Sequence, residues 1–582
     1  MAALDSASCK RPADQRFHNK GKTMKRISLF AVLAAVVLSL SACASEPTVQ
    51  GAGNGDTRQV KNVIFLLSDG TANEAWPLAR WVKGERLASD DILSGAIRTY
   101  GADSIITDSA PGSTSYATGQ KGTDKGIAVY PWHVTVAGVA FDPSLQYVPL
   151  ATVLEGARLS GRATGIVATS NAQHATPADF TAHTHDRGKY TEIGEQQVYQ
   201  DIDVVLAGGE QYLLPKGVGA GVRTDNENLV EVLKAKGYAY ATNRDQMLAA
   251  SGPKLFGLFA RDAMAYDIDR ATFAPGEPTL AEMTAKALET LAASTKGQDK
   301  GFFLFVEGSQ VDWAAHANDP AGVVSELLAY DRAVKTALDF AKTDGNTLVI
   351  GVADHTTGGL SIGVSSDPQY STTDDDFVVG PMRKAKLTGE GLGKLIARDS
   401  SEANIKAVFA DQWGITDLSA DEITAIQKPP QGVALQRVLA PMLSKRARLG
   451  WTTNGHTGGD PYLFSYGPGR IGGLWENSDI GKYIAQKLGF SFPDINQRLF
   501  VEASAAFQAA GFAIAIDRTD PANPVLTVSR GKATARLPLA KNLVQVNGKA
   551  IELEGLVVLA EKLDKVFLPR QAIEIVTAEL KE

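Results

Sequence analysis

The chain has 582 residues, 44% of them hydrophobic and 21% charged, and its formal net charge is −7. This length can bury a large core and accommodates more than one domain, and the composition is that of a globular protein. The charge is mild and no long basic run stands out, so nothing in the sequence supports nucleic-acid recognition.

The first sixty residues are expected to carry an export signal rather than folded structure. Met24 begins a short basic start, followed by the apolar run ISLFAVLAAVVLSL, which is short for a membrane span. The order Leu-Ser-Ala-Cys ending at Cys43 resembles a bacterial lipoprotein signal, with lipid on the thiol, and an ordinary signal peptide is the alternative. We therefore predict an upstream extension and signal peptide over 1–42, a flexible tether over 43–60, and a bacterial protein that is periplasmic or membrane-anchored through Cys43. Since Cys9 and Cys43 are the two cysteines, no disulfide framework is expected.

Short apolar runs farther along the chain predict the strands of a buried sheet. Continuous apolar character suits parallel strands that helices cover on both faces. Helical patterns lie between the runs, and one begins at Thr279 with Glu282 three residues later, which is a capping-box signature. The alternation predicts an α/β fold with a largely parallel central sheet and helices on both faces. The runs cover residues 60–67, 163–169, 203–209, 301–308 and 346–355.

Carboxylates and imidazoles follow three of these predicted strands. In open α/β sheets ligands bind beyond the carboxyl ends of the strands, so these side chains are expected at one edge. Asp312 and His316 stand one helical turn apart and can share a face. Carboxylate and imidazole without thiolate suit catalytic zinc, whereas carboxylates with a hydroxyl suit magnesium. The side chains are Asp69, Glu307, Asp312, His316, Asp354 and His355, with His456 in the loop-like segment TNGHTGG.

The segment TDSAPGSTSYATG, residues 107–119, reads as the start of a helix. Two interpretations are open: Asp108 is an ordinary helix cap, or Ser109 is a nucleophile held where backbone N–H groups meet an anion. Pro111 is tolerated in the first turn because its missing N–H has no helical partner there. Together with the candidate ligands, this serine predicts a catalytic site.

These segments resemble, in order, the motifs of metal-dependent alkaline phosphatases. The motifs are LLSDG, TDSAPGSTSYATG, QHATPADFTAHTHDR, VEGSQVDWAAH, VADH and NGHTGG, and they extend over residues 60–490. The combination of Asp-Ser-Ala with Glu-Gly-x-x-x-Asp-x-x-x-His is specific. The resemblance implies the family's fold and hydrolysis of phosphate monoesters to an alcohol and inorganic phosphate.

The resemblance also implies a role for each matching residue. Ser109 would be the nucleophile that forms a covalent phosphoserine, and Arg187 would hold phosphate oxygens. His174 and Trp313 stand where some bacterial members carry Asp and Lys. These differences leave open how much charge surrounds the magnesium ion and how readily phosphate is released. The implied metals are two zinc ions and one magnesium ion. The first zinc ion would be held by Asp312, His316 and His456, and the second by Asp69, Asp354, His355 and Ser109. The magnesium ion would be held by Asp69, Thr176 and Glu307.

Three alternatives compete with this interpretation. Ser109 to Gly112 fit the first four positions of the sulfatase pattern Ser/Cys-x-Pro-x-Arg, but Ser113 stands in place of the arginine. Phosphodiesterases of the same superfamily usually have a threonine nucleophile and lack the third metal site. A catalytically dead, phosphate-binding surface protein is the third alternative, and the complete ligand set argues against it.

The remaining segments predict the domain organisation. The catalytic domain is expected over 61–492, with an inserted cap at about 362–445. In the family this region lies near the active site and the dimer interface. Whether the protein forms a homodimer is left open by the sequence. Alternating apolar and polar residues predict an accessory domain over 493–582, β-rich or α+β. Within it, VQVNGKAIEL and VFLPRQAIEIV look similar to the small module of the N-terminal region of copper amine oxidases.

Overall fold

The computed structural model describes residues 58–367, 370–372 and 374–580. The predicted extension, signal peptide and lipid attachment at Cys43 lie outside the described residues, and they stay predictions. Val60, the last residue but one before the first strand, is buried and its N–H donates to Lys487 O at 3.0 Å. Val60 therefore belongs to the folded part of the chain, and the boundary of the predicted tether over 43–60 stays a prediction. Within the described ranges, no helix has both the length and the apolar character that crossing a membrane requires.

A ten-stranded sheet forms the centre of the molecule. Its strands in chain order are β1 (Asn62–Ser68), β2 (Leu93–Arg98), β3 (Ala163–Asn171), β4 (Val204–Gly208), β5 (Ala239–Ala241), β6 (Leu255–Leu258), β7 (Phe302–Gly308), β8 (Thr347–Val352), β9 (Tyr462–Tyr466) and β10 (Gly473–Glu476). Their spatial order is β10-β2-β9-β8-β1-β7-β3-β4-β6-β5. Every pairing is parallel except those of β9, which runs antiparallel to β2 and β8.

Helices cover both faces of this sheet, as the continuous apolar strands predicted. The side chains of β1 alternate between two apolar clusters, with Ile64 and Leu66 in one and Val63 and Phe65 in the other. The flanking helices span Ala75–Lys83, Ser109–Thr118, Val153–Leu159, Ala175–Ala178, Tyr190–Tyr199, Leu229–Ala235, Arg244–Ala249, Asp267–Phe273, Leu280–Ala293, Thr295–Asp299, Gln310–His316, Pro320–Asp344, Asn477–Leu488 and Phe492–Leu499. The predicted capping box is present, because Thr279 and Glu282 each bond the other's backbone N–H.

The segment predicted as a cap is helical. Its helices pack into the apolar cluster that also holds the long helix Pro320–Asp344. Two buried carboxylates attach it to the rest of the chain: Asp269 accepts from Thr388 N at 2.8 Å, and Asp319 from Gly389 N at 2.7 Å. The cap helices are Asp375–Lys384, Gly389–Ile396, Glu402–Trp413, Ala420–Gln427 and Leu435–Arg446.

The last eighty residues form two small antiparallel sheets with a separate apolar cluster. One sheet pairs Val501–Glu502, Lys565–Leu568 and Val558–Ala560; the other has Ala513–Asp517, Val525–Arg530, Ala533–Pro538, Leu543–Val546 and Lys549–Glu552 in that order. Helices Ala503–Ala509 and Arg570–Glu579 pack against them. The predicted fold class, an α/β body followed by a small sheet-containing segment, is confirmed. The boundaries of the cap and the accessory domain stay proposals, as does the copper amine oxidase resemblance.

Candidate active site

Ser109 is the first residue of the helix Ser109–Thr118 and is almost fully buried. Asp108 precedes the helix in an extended conformation, and its carboxylate accepts from Ser109 N at 2.7 Å. Ser109 Oγ lies 3.2 Å from His355 Nε2. Asp108 is therefore a helix cap, as one interpretation of the sequence predicted. The same cap holds Ser109 at the helix N-terminus, where free backbone N–H groups favour an anion.

The strand ends bring the predicted ligands to this helix. Strands β8, β1 and β7 are neighbours, and their carboxyl ends lead into Asp354, Asp69 and Glu307 respectively. Gly70, directly after Asp69, has φ +64°, and a Cβ there would lie 2.4 Å from Asp312 Oδ1. Only glycine fits this position without moving a candidate ligand.

The first set consists of Asp312, His316 and His456. Nδ1 of His316 donates to Asn454 O at 2.5 Å, and Nδ1 of His456 donates to Thr107 O at 2.8 Å. Neutral imidazoles bonded in this way direct their Nε2 lone pairs inward, and the two Nε2 atoms are 3.1 Å apart. Asp312 Oδ2 lies 3.3 Å from His316 Nε2. Ligands about 2.0 Å from a tetrahedral zinc ion are separated by roughly 3.3 Å, so these atoms are spaced for one cation.

The second set consists of Asp69, Asp354 and His355, all fully buried. His355 Nε2 lies 3.3 Å from Asp69 Oδ1 and 3.5 Å from Asp354 Oδ2, close to the Ser109 hydroxyl. Nδ1 of His355 is 3.2 Å from Thr357 Oγ1, whose single proton is donated to Asp312 Oδ1 at 2.5 Å. Thr357 must therefore accept from His355 Nδ1, which leaves Nε2 free to bind a cation.

The third set surrounds Asp69 and Glu307. Both oxygens of each carboxylate, together with Thr176 Oγ1, are buried without a hydrogen bond of normal geometry. Burial and the nearby charge of Asp354 raise the pKa of Glu307 to about 8, and burial raises the pKa of Asp69 well above its usual range. Buried carboxylates of this kind are costly unless paired, so the donor sets fit divalent cations.

Arg187 and His174 line the same cavity as Ser109. Arg187 Nη1 donates to Asp108 Oδ1 at 2.7 Å, and its Nη2 donates to His174 Nε2 at 3.0 Å. Although burial acts in the opposite direction, the charge of Arg187 lowers the pKa of Asp108 to about 2. Burial and Arg187 lower the pKa of His174 to about 3, so its ring is neutral with the proton on Nδ1. His174 therefore presents an N–H group, rather than a lone pair, toward the third set.

An open cavity of about 560 Å³ exposes part of this arrangement to solvent. Trp313 forms part of its wall, with its ring edge-on to His174 at a centroid distance of 5.6 Å. Among the described residues of 362–445, none lines this cavity. Its wall consists of Ile106, Thr107, Asp108, Ser109, His174, Arg187, Asp312, Trp313, His316 and His456.

Every site residue that the sequence predicted lies in this arrangement, and two further residues were missed. Thr357 joins the first two sets, and nothing in the segment DHTTGG distinguishes it from its neighbour Thr356. The sequence predicts Asp108 only as a cap, and no local pattern indicates its ion pair with Arg187, which is distant in the chain. His183 lies outside these three sets, and its Nε2 is 3.1 Å from Oε1 of the buried Glu155.

Comparison with known proteins agrees with this geometry. The alkaline phosphatase family model matches residues 60–490. Alkaline phosphatase 3 of Bacillus subtilis is 33% identical over 491 residues, covering 81% of this chain and 98% of the relative. The crystal structure of Thermus thermophilus alkaline phosphatase is 25% identical, with a TM-score of 0.67 and coverage of 78% of this chain and 96% of that one.

A variant of the alkaline phosphatase from the Antarctic bacterium TAB5, described with Mg bound in its M3 site, is 26% identical. It covers 75% of this chain and 99% of its own, with a TM-score of 0.53. The protein is a phosphatase by class. It belongs to the alkaline phosphatase family, which confirms the resemblance inferred from the motifs.

Proposed function

We propose that this enzyme hydrolyses phosphate monoesters through a covalent phosphoserine at Ser109, with two zinc ions and one magnesium ion. The observation that carries the proposal is the position of Ser109, at a helix N-terminus, 3.2 Å from His355 Nε2 and at the wall of the open cavity. Asp312, His316 and His456 would hold the first zinc ion. The other two ions would be held by Asp69, Asp354, His355 and Ser109, and by Asp69, Thr176 and Glu307.

The chemistry of the donors supports this division of metals. Imidazole nitrogens enter the first two sets and favour zinc, whereas the third set offers oxygen atoms, which magnesium prefers. The proton on His174 Nδ1 supports a role beside the magnesium ion rather than on it. The Mg described in the TAB5 variant is consistent with a third site of this type.

Arg187 and the helix N-terminus would bind and orient the phosphate. Arg187 can offer a planar pair of N–H groups to two phosphate oxygens, and Asp108 holds its guanidinium in place. The cations, when bound, would favour ionisation of the serine hydroxyl and neutralise charge on the phosphate.

Two displacements at phosphorus would complete the reaction. Ser109 Oγ would form a bond to phosphorus while the ester P–O bond breaks, and the alcohol would leave through the open cavity with a proton. A water molecule would then attack the phosphoserine, the Oγ–P bond would break, and phosphate would be released. Slow uncatalysed hydrolysis of monoesters gives such a site much to accelerate.

A phosphodiesterase of the same superfamily is the alternative function. A serine rather than a threonine at the nucleophile position, together with the Glu307 and Thr176 set, favours monoesters. The sulfatase alternative is weakened because Ser113 is fully buried and bonded to Ser109 O at 2.5 Å. It is therefore not available to a substrate as an arginine would be.

The experiment that tests the proposal compares a chromogenic phosphate monoester with the matching diester at alkaline pH. Wild type and Ser109→Ala would both be loaded with zinc and magnesium. We expect monoester turnover to exceed diester turnover by far and to collapse in the variant. Dominant diester cleavage, or full activity without the Ser109 hydroxyl, would contradict the proposal. Homodimer formation and lipid attachment at Cys43 remain predictions.

A further inference from the structure

Asp179 is a fully buried acid that has no part in the mechanism above. It directly follows the short helix Ala175–Ala178 and lies beside a small apolar cluster that joins this helix to Ala110 of the nucleophile helix. Its hydrogen bonds go to the nucleophile helix and to Ala128, and none goes to a candidate metal ligand. An isolated carboxylate in such a place would be costly.

The hydrogen bonds of Asp179 favour one position for a proton. Oδ1 accepts from Thr114 Oγ1 at 2.6 Å and from Ala128 N at 3.3 Å. Oδ2 contacts Ser113 Oγ, and this hydroxyl also lies 2.5 Å from Ser109 O. A serine hydroxyl has one proton and cannot donate to both acceptors. Thr114 Oγ1 also lies 3.1 Å from Gly126 O, and its one proton goes to the nearer Asp179 Oδ1. When Asp179 carries a proton on Oδ2, Ser113 Oγ can accept from Asp179 and donate to Ser109 O.

The charges around Asp179 agree with a protonated acid. Burial raises the pKa of Asp179 well above its usual range, while its hydrogen bonds and the positive charge of Arg187 act in the opposite direction. If Asp179 is neutral, it does not reduce the positive charge of Arg187. That charge is needed to attract a phosphate dianion.

We propose that Asp179 is a positioning residue, a neutral carboxylic acid that donates to Ser113 Oγ, which in turn donates to the carbonyl oxygen of Ser109. This chain would fix the first turn of the nucleophile helix relative to the segment that carries His174 and Thr176. The inference rests on the proposed function of Ser109 as nucleophile. Because small displacements of reacting groups are costly, losing the chain should lower kcat more than it affects binding.

Three variants test the proton position and the positioning role separately. Asp179→Asn places an amide N–H where the acid has its O–H and keeps the acceptor at Oδ1. Asp179→Ala removes both, and Ser113→Ala cuts the chain while leaving Asp179 with its other two bonds. For each protein we would measure kcat and KM with a chromogenic phosphate monoester, inhibition by inorganic phosphate, zinc per chain and thermal midpoint.

We expect Asp179→Asn to keep kcat within about threefold of wild type. Asp179→Ala and Ser113→Ala should lose about 10- to 100-fold in kcat, with KM and phosphate inhibition changed less than about threefold and zinc content unchanged. The infrared difference spectrum of wild type minus Asp179→Asn should contain the band of one protonated carboxylic acid, because other buried acids contribute equally to both proteins. This spectroscopic test stands even if Asp179→Ala fails to fold.

Equal losses in Asp179→Asn and Asp179→Ala would overturn the proposal, because an ionised carboxylate would then be required. It would also be overturned by wild-type kcat in Ser113→Ala, by a loss explained by missing zinc, or by absence of the infrared band. A wild-type protein without monoester turnover would instead contradict the proposed function, and the infrared result would still report on the proton.

Discussion

Replacement of Thr357 by valine tests whether the first two ligand sets are coupled through one hydroxyl. Thr357→Val keeps the shape of the side chain but removes the proton donated to Asp312 Oδ1 and the acceptor for His355 Nδ1. Both partners are buried, so each is left without its bond in a place that water does not readily reach.

The expected magnitude follows from these two contacts. Leaving one buried polar group unsatisfied costs about 1–3 kcal/mol, and losing an outer partner of a metal ligand typically weakens metal binding by about 10- to 100-fold. His355 would also lose the bond that fixes its proton on Nδ1, so a fraction of the rings would present N–H instead of a lone pair to the cation. We therefore expect zinc affinity to fall by about 10- to 100-fold.

The assay is a chelator competition that measures zinc per chain, followed by kcat at saturating zinc. Thr284→Val is the matched control, because Thr284 is equally buried and its hydroxyl donates only within its own helix, to Leu280 O at 2.8 Å. Thr357→Ser should restore zinc affinity to within about threefold. Zinc affinity unchanged in Thr357→Val, or lowered as much in Thr284→Val, would refute the reasoning.

Three further predictions concern charge, space and phosphate binding. In the metal-free protein, burial raises the pKa of Glu307 to about 8 and that of Asp354 to about 7. Because the folded state holds these protons more tightly than the unfolded state, the free energy of unfolding decreases as the pH rises from about 4 through these values. Zinc and magnesium should therefore raise the thermal midpoint more at pH 8.5 than at pH 5.5, and an equal gain at both would contradict this. Gly112→Ala would place a Cβ 2.9 Å from Asp354 O, which forces the helix or Asp354 to move. We expect kcat to fall by about tenfold or more and the thermal midpoint to decrease. Wild-type kcat and thermal midpoint in this variant would contradict the prediction. Arg187→Lys removes paired N–H donation and should lower kcat/KM for the monoester by about 10- to 100-fold with weaker phosphate inhibition, unlike Arg332→Lys on the surface.

The sequence predicted most of this site because strand ends and short motifs are local features. Asp69, Glu307 and Asp354 each end or follow an apolar run, and a parallel sheet brings such ends to one edge whatever the loops between them do. Ser109 was predictable because an acid, a serine and a proline mark the start of a helix. The family resemblance supplied the roles of Thr176 and Arg187, which no local pattern distinguishes.

The contacts that the sequence did not predict join distant segments. Thr357 gains importance only because its hydroxyl reaches Asp312, forty-five residues away in the chain. Asp179 is one acid among many until the fold buries it under Ser113. Val60 shows the same limit in the fold, because its N–H donates to Lys487 O, which is far away in the chain.

The measurement that tests the central claim most directly is detection of the covalent intermediate. Wild-type enzyme, loaded with zinc and magnesium, would be mixed with a phosphate monoester, quenched in acid during turnover and analysed by peptide mass spectrometry. The account predicts a phosphoryl group on Ser109 that is absent from the Ser109→Ala variant. Steady turnover with no phosphoryl group on Ser109, or with the group on another residue, would contradict it.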